Sequence, residues 1–393
     1  MKNILLTLAL MGIGTLAFAQ SAAVNSQPAP LAPQYAAASV AASVAVPQTP
    51  IKPVLPVMPS SNSVLPAPLP PEIPEVPEYA GWNVDGNASE EGLTKTFSKT
   101  FPAAASDIIS MNNQYGSITI KIWDRKEVKA DVTISAYSNN ADEQQKLLDG
   151  TRVLADESGD QIAFRTEMSG NRNGNWGNGT RNGKKWRREV RVNYTLYVPG
   201  NNDLNISQQY GNVEIGNYAG AVNAKVQYGN FIAQKLSSSS NNLNVQYGKM
   251  TIQDLNKGNL KQQYGGGITL GSARDINISA QYATVRIDRL LGDAALSVQY
   301  NKVNIAQVAE SSKMLTINAQ YAGIDVGFSD SYKGSMDVKI SYASFNFGKG
   351  VSAKIEGGED AHGSVTKRYT GNIGGGGSSQ VRVNASYEDV TFR

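Results

Sequence analysis

One short phrase, Gln-Tyr-Gly, returns through the second half of this chain at nearly fixed intervals. A chain that repeats on such a period must stack like units on one another, because each unit alone is too small to bury its apolar face. The marker tyrosines are Tyr210, Tyr228, Tyr247, Tyr264, Tyr282, Tyr300, Tyr321 and Tyr342, spaced by 18, 19, 17, 18, 18, 21 and 21 residues, with Tyr387 as a late copy. An outlying copy, Gln114-Tyr115-Gly116, sits far upstream.

Before each tyrosine the apolar residues tend to fall two and four positions back, as in Val226 and Ala224 or Val298 and Leu296. After it they fall three and five ahead, as in Val213 and Ile215 or Val303 and Ile305. A period of two marks strands, and it changes face only at a bend or bulge. Gly211, Gly229, Gly248 and Gly265 are the expected permissive residues at that bend. Each repeat therefore reads as strand, corner, strand. The expected fold is all-β: a parallel β-solenoid or β-helix of about eight coils of 17–21 residues, preceded by a small β-rich module with one short helix. The tyrosines share the parity of the apolar positions before them, so their rings are expected to point inward as a structural ladder. Gln209, Gln227, Gln246, Gln263, Gln281, Gln299 and Gln320 should form an amide ladder beside it.

The opening residues carry an apolar stretch from Ile4 to Leu16 and then Ala17-Phe18-Ala19, the pattern of a secretory signal peptide over residues 1–19. Residues 20–90 are rich in Ala and Pro and hold 14 of the 16 prolines, which predicts an extended disordered tether. A β-rich module is expected over 91–200 and the solenoid over 201–393. No later stretch has the ~20 apolar residues of a membrane-spanning helix. With no cysteine there can be no disulfide or thiolate chemistry, and with His362 as the single histidine no multi-histidine metal centre. No cofactor is expected.

Within the N-terminal module, Ile118 to Ile122 and Val128 to Ile134 alternate as half-buried strands. Asn140 with Glu143 three residues on offers a helix start, and Gly150 its end. Gln161–Glu167 and Glu189–Val198 read as two antiparallel strands joined by a long loop. That loop, 169–188, is the one strongly basic place in the chain. Seven cations against Glu189 give residues 171–191 a local +6, so the remainder carries −3 against the whole chain's +3. Arg172, Trp176, Arg181, Lys184, Lys185, Trp186, Arg187 and Arg188 are the candidate contacts for glycans or anionic envelope polymers, the alternative being a solvated hairpin tip. Nucleic acid is not an expected partner for an exported chain, and the oligomeric state stays open.

Catalysis on a β-helix needs convergent carboxylates, or a carboxylate-bound cation with a base. The row four residues past each tyrosine reads Glu214, Ile232, Thr251, Ile268, Arg286, Asn304, Asp325 and Asn346. Its charges fall on separated coils, so the expectation is a protein that is not an enzyme. The outward rows, including Asn205, Ser207, Asn223, Lys225, Asn244, Asn277, Ser279, Ser297, Thr316 and Asn318, are polar and suit water or sugar hydroxyls.

Asn113-Gln114-Tyr115-Gly116-Ser117-Ile118-Thr119-Ile120, followed by Trp123-Asp124, Val128 and the Gln144–Asp149 segment, resembles the bacterial adhesin-like β-solenoid family from about Lys95 to Arg393. The resemblance implies an exported protein, of a kind often encoded near anti-sigma factors, and brings no catalytic residues. The expected function is a cell-envelope or cell-surface protein with an adhesin-like binding or scaffold role, in the periplasm, at the outer-membrane surface or outside the cell. A glycan-degrading β-helix enzyme and an envelope-stress component partnering an anti-sigma system remain as alternatives.

Overall fold

The computed structural model describes residues 92–169, 176–357 and 365–393. The signal-peptide and tether readings, Arg172 and His362 lie outside the described residues. The described part is nearly all β, with one α-helix and a large, mostly parallel sheet.

Two parallel ladders carry the repeat. In the first, the strands preceding each tyrosine pair in register, so that Gln209 lies beside Gln227 and Gln227 beside Gln246, and further on Gln281 beside Gln299 and Gln299 beside Gln320. In the second, the strands following each tyrosine align Val213 with Phe231 and Met250, then Ile268 with Val285, Val303 and Ile324. One repeat thus makes one rung, and the inward residues of both ladders belong to a single apolar core. Each fully buried Val, Leu, Ile or Phe contributes about 1.5–3 kcal/mol. The rung of Tyr264 is one residue longer after its tyrosine. Its Gly265-Gly266-Gly267 run puts Ile268 opposite Val285, so the outward residue beside Arg286 is Thr269, not the Ile268 expected from counting.

The corner departs from expectation in two ways. All ten tyrosines of the motif have positive φ, from 51° to 71°, whereas Gly211, Gly229 and Gly248 do not. A residue in the left-handed region turns the chain and breaks the alternation at itself, so parity cannot be carried through it. The rings accordingly do not point into the core: they are half-buried, and Tyr342 at the end of the row is 49% exposed. The glycines answer a different demand, close approach of backbones. A Cβ on Gly211 would stand 1.6 Å from the Gly116 carbonyl oxygen, on Gly229 1.9 Å from that of Gly211, and on Gly248 1.8 Å from that of Gly229.

The N-terminal strands are β1 (Leu93–Pro102), β2 (Ile108–Gln114), β3 (Ile118–Trp123), β4 (Glu127–Ser138), β5 (Thr151–Ser158), β6 (Gln161–Met168), β7 (Gly177–Arg181) and β8 (Lys184–Pro199). Helix α1 (Ala141–Asp149) lies between β4 and β5. The upstream motif copy is itself a rung: β2 pairs in parallel with Asp203–Gln209, and β3 with Val213–Tyr218. Beyond it the first ladder continues through β6 to β5, and the second through β8 and β4 to β1.

As expected, Asn140 caps α1. Its side-chain oxygen accepts from the Glu143 N–H at 2.9 Å, while Leu148 is buried and Lys95 donates to the Leu148 carbonyl. The expected hairpin of Gln161–Glu167 with Glu189–Val198 is replaced by two others. β6 returns on β5, and β8 forms a hairpin with β7 through Asn182-Gly183, both with positive φ as the tight primed turn requires.

At the C-terminal end the last motif copy is not the last rung. Ser379–Ser386 inserts between Met314–Phe328 and Gly334–Ser341, parallel to both, so the rung of Tyr387 lies between those of Tyr321 and Tyr342. The far side of Gly334–Ser341 is covered by the antiparallel strand Thr366–Ile373. The first ladder thus ends not on a repeat strand but on an antiparallel pair, Thr366–Ile373 with Val351–Ile355 outside it.

Candidate functional site

Ten tyrosine rings form one continuous stack in the order Tyr115, Tyr210, Tyr228, Tyr247, Tyr264, Tyr282, Tyr300, Tyr321, Tyr387, Tyr342. Centroid separations run from 4.3 to 5.3 Å and interplanar angles from 2° to 12°. This is the strand spacing of ~4.8 Å transferred to the side chains. Each ring lies against its neighbours, so the inner rings have no free face on which a sugar or planar ligand could stack. Lost hydration first, and neighbouring phenols second, push the hydroxyls of Tyr210, Tyr247 and Tyr282 above the ordinary phenol value.

The amide ladder runs beside the rings. Gln114 donates to Gln209 at 3.0 Å, Gln227 to Gln246 at 2.7 Å, Gln246 to Gln263 at 2.8 Å and Gln263 to Gln281 at 3.2 Å. Sequence reasoning passed over a second set of amides. Gln208 and Gln262 occupy the core position two before the tyrosine, where most other rungs place Val, Ala or Ile, and they donate to the carbonyls of Gly116 and Gly248 at 2.7 and 2.9 Å. Asn113 at the same position donates to the Val192 carbonyl at 3.0 Å and accepts from Thr166 at 2.8 Å. The visible signal was the doubled Gln-Gln before Tyr210 and Tyr264. A buried polar side chain is retained where it satisfies a backbone group the ladder leaves over.

The basic segment is split between structure and solvent. Trp176 packs on Tyr115 with centroids 5.4 Å apart, extending the aromatic row, and Arg188 lies 5.4 Å above Trp176 while its Nε donates to Glu143 at 2.7 Å. Arg187 sits 3.5 Å over the Tyr137 ring and pairs with Glu189, which is 3% exposed and also meets Arg191 at 3.1 Å. Trp186 lies across Gly179, its opposite number on β7. Lys184 and Lys185 are exposed at the hairpin turn, and Arg181 is the last residue of β7. The cations that looked like one surface patch therefore include several that hold the N-terminal sheets and α1 together.

On the second ladder's outward face Arg286 aligns with Asn304 and Asn304 with Asp325, whose carboxylate accepts from Arg393 at 2.7 Å. Glu214 stands between Thr119 and Ile232. The charged members of that row are not brought together. Among the described residues no three of His, Cys, Asp and Glu gather as a metal-ligand set, and no helix is long and apolar enough to cross a membrane.

The first ladder's outward face is a field of short neutral polar groups. Five asparagines align five residues before successive tyrosines, from Asn205 to Asn277, and some bond along the row: Asn223 donates to Asn205 at 3.2 Å and Asn277 to Asn259 at 3.0 Å.

No family model matches the chain, and no curated protein matches it either. Several solved structures are similar to it. Their descriptions are adhesin-like. One is a "putative cell adhesion protein" from Clostridium sporogenes, 10% identical, covering 76% of this chain and 99% of its own, with a TM-score of 0.18. A "putative adhesin" from Bacteroides fragilis is 11% identical over 76% of this chain and 97% of its own, with a TM-score of 0.33. Another from Parabacteroides merdae is 11% identical over 60% and 92%, with a TM-score of 0.23. At such TM-scores the likeness carries no argument, and the function of this chain has to be read from its own strand registers and side chains.

Proposed function

We propose that this chain is an exported, non-catalytic protein of the cell envelope or cell surface, with an adhesin-like binding or scaffold role. The observation that carries the reading is the pair of in-register parallel ladders, which set their outward side chains in rows one strand step apart, among them a row of five asparagines on the first ladder. An array of this kind suits an extended partner touched at many equivalent points, and it gathers no acid–base pair at any one of them. In this proposal residues 1–19 are a cleaved signal peptide and 20–90 a tether. Residues 91–200 and 201–393 are the opening module and a solenoid whose two ladders close around the shared core in coils of 17–21 residues. The exposed part of the basic hairpin, Lys184 and Lys185, is a secondary contact for anionic polymers.

The test is binding of the purified full chain to whole cells and to separated envelope fractions, with the chain's location fixed by surface proteolysis of intact cells. Saturable binding to one of these fractions is expected. Absence of binding to cells and to every fraction would overturn the adhesive reading. Turnover in a broad polysaccharide screen, abolished by Arg286→Ala or Asp325→Ala, would replace it with the enzyme reading.

A further inference from the structure

Resting on the surface-binding reading, we infer that the outward face of the first ladder is a groove for an extended acidic glycan, one that carries a carboxylate on alternate sugars. A depression of about 310 Å³ lies across this face, lined among others by Asn242, Asn259, Lys261, Ser279, Ser297 and Asn318. Its lining comes from five successive rungs, those of Tyr247 to Tyr321, so at ~4.8 Å per strand its length is about 19 Å, and it runs across the strands. The floor is low because the asparagine row is interrupted there by Ala295, between Asn277 and Thr316.

The chemistry of the walls selects the occupant. From the rung of Tyr210 to that of Tyr321, the outward positions three and five before the tyrosine hold Asn, Ser, Thr, one Ala and two Lys, and no carboxylate. Side-chain amides and hydroxyls both donate and accept, which matches sugar hydroxyls. None of the strongly exposed large apolar side chains lies on the rungs of Tyr228 to Tyr321 of this face, Ile108 being on the rung of Tyr115, so the aromatic or aliphatic anchors of a protein interface are missing from the groove. The nearest turn carboxylates are occupied by backbone: Asp203 accepts from Ala221 N–H, Asp275 from Asp293 N–H, and Asp293 from Lys313 and Met314 N–H. The two cations, Lys225 and Lys261, are exposed. Lys225 aligns with Asn244, and Lys261 belongs to the next rung, joined by the Gln246–Gln263 amide bond. Lys261 lines the depression and Lys225 stands on the same face one rung beyond its Tyr247 end, so two steps at ~4.8 Å put their strand positions about 10 Å apart, the repeat of a disaccharide in an extended β-linked chain. Each would meet a carboxylate in a charge-assisted hydrogen bond.

The probes are a hyaluronan octasaccharide, with carboxylates on alternate sugars, and neutral cello-octaose of similar length. The full chain should bind the hyaluronan probe more tightly. Lys225→Gln and Lys261→Gln should each weaken that binding about tenfold, the worth of one charged hydrogen bond. Ala295→Trp, which fills the floor, should abolish binding, and Lys302→Gln, on the far side of the tyrosine row, should leave it unchanged; circular dichroism checks that each variant is folded. Equal affinity for both probes, equal affinity for dextran sulfate, or indifference to the lysine and Ala295 changes would overturn the inference. A chain that binds envelope fractions but not the hyaluronan probe overturns this inference alone, whereas one that binds neither overturns the surface-binding reading as well.

Discussion

Tyr247 offers a test in which the left-handed corner reverses an ordinary preference. Its φ is 54°, and its ring lies between Tyr228 at 4.8 Å and Tyr264 at 5.2 Å. Tyr247→Ala deletes two ring contacts worth about 0.5–1.5 kcal/mol each, so about 1–3 kcal/mol together, and it leaves an L-residue in the left-handed region. Tyr247→Gly deletes the same contacts but relieves the left-handed penalty of about 1–2 kcal/mol, less about 0.5–1 kcal/mol for the freer unfolded chain. The glycine variant should therefore be the more stable of the two, by about 0.5–1 kcal/mol. At a regular strand position alanine wins by a similar margin. Urea denaturation of both variants under one set of conditions, followed by circular dichroism, measures the difference. An alanine variant as stable as the glycine variant, or more so, would refute the claim that the tyrosines hold the corner under strain.

The stacked glycines make a sharper prediction. Gly229→Ala drives a Cβ to 1.9 Å from a backbone oxygen and should cost about 3 kcal/mol or more in denaturant unfolding, while Gly216→Ala, with nothing within 4 Å, should be nearly neutral. Deleting residues 379–393 removes the rung between those of Tyr321 and Tyr342, and hydrogen exchange should show loss of protection across residues 334–347 while the rungs of Tyr210 to Tyr282 keep theirs. Burial pushes Tyr194 and Tyr332 up to about 12 and Tyr218 higher still. Between the ordinary phenol value and those values the folded chain holds more protons than the unfolded one, so stability is complete below pH ~10 and falls as the pH rises toward 12. Thermal melts across that interval should show the fall, and Tyr194→Phe should make it shallower.

The sequence by itself determined the rung. The spacing of the tyrosines, the inward apolar positions on either side, and the amide row beside them follow from a period of two interrupted once per repeat, a local property of the backbone. The helix at Asn140 was legible for the same reason, since its cap is made by neighbours in sequence. The ring direction was not legible, because one residue with positive φ suspends the alternation from which parity is read, and tyrosine is not a residue that advertises that conformation. Only the tertiary structure decided which rungs touch. The upstream copy at Tyr115 joins the ladder across a long insertion, and the final strand slips between two earlier rungs, because parallel pairing records register but not order along the chain. The groove belongs to that second class. Lys225 already stood among the outward residues read from the sequence, but Lys261 and Ala295 are inconspicuous there, and all three share a surface only because stacking converts a spacing of about eighteen residues into one strand step.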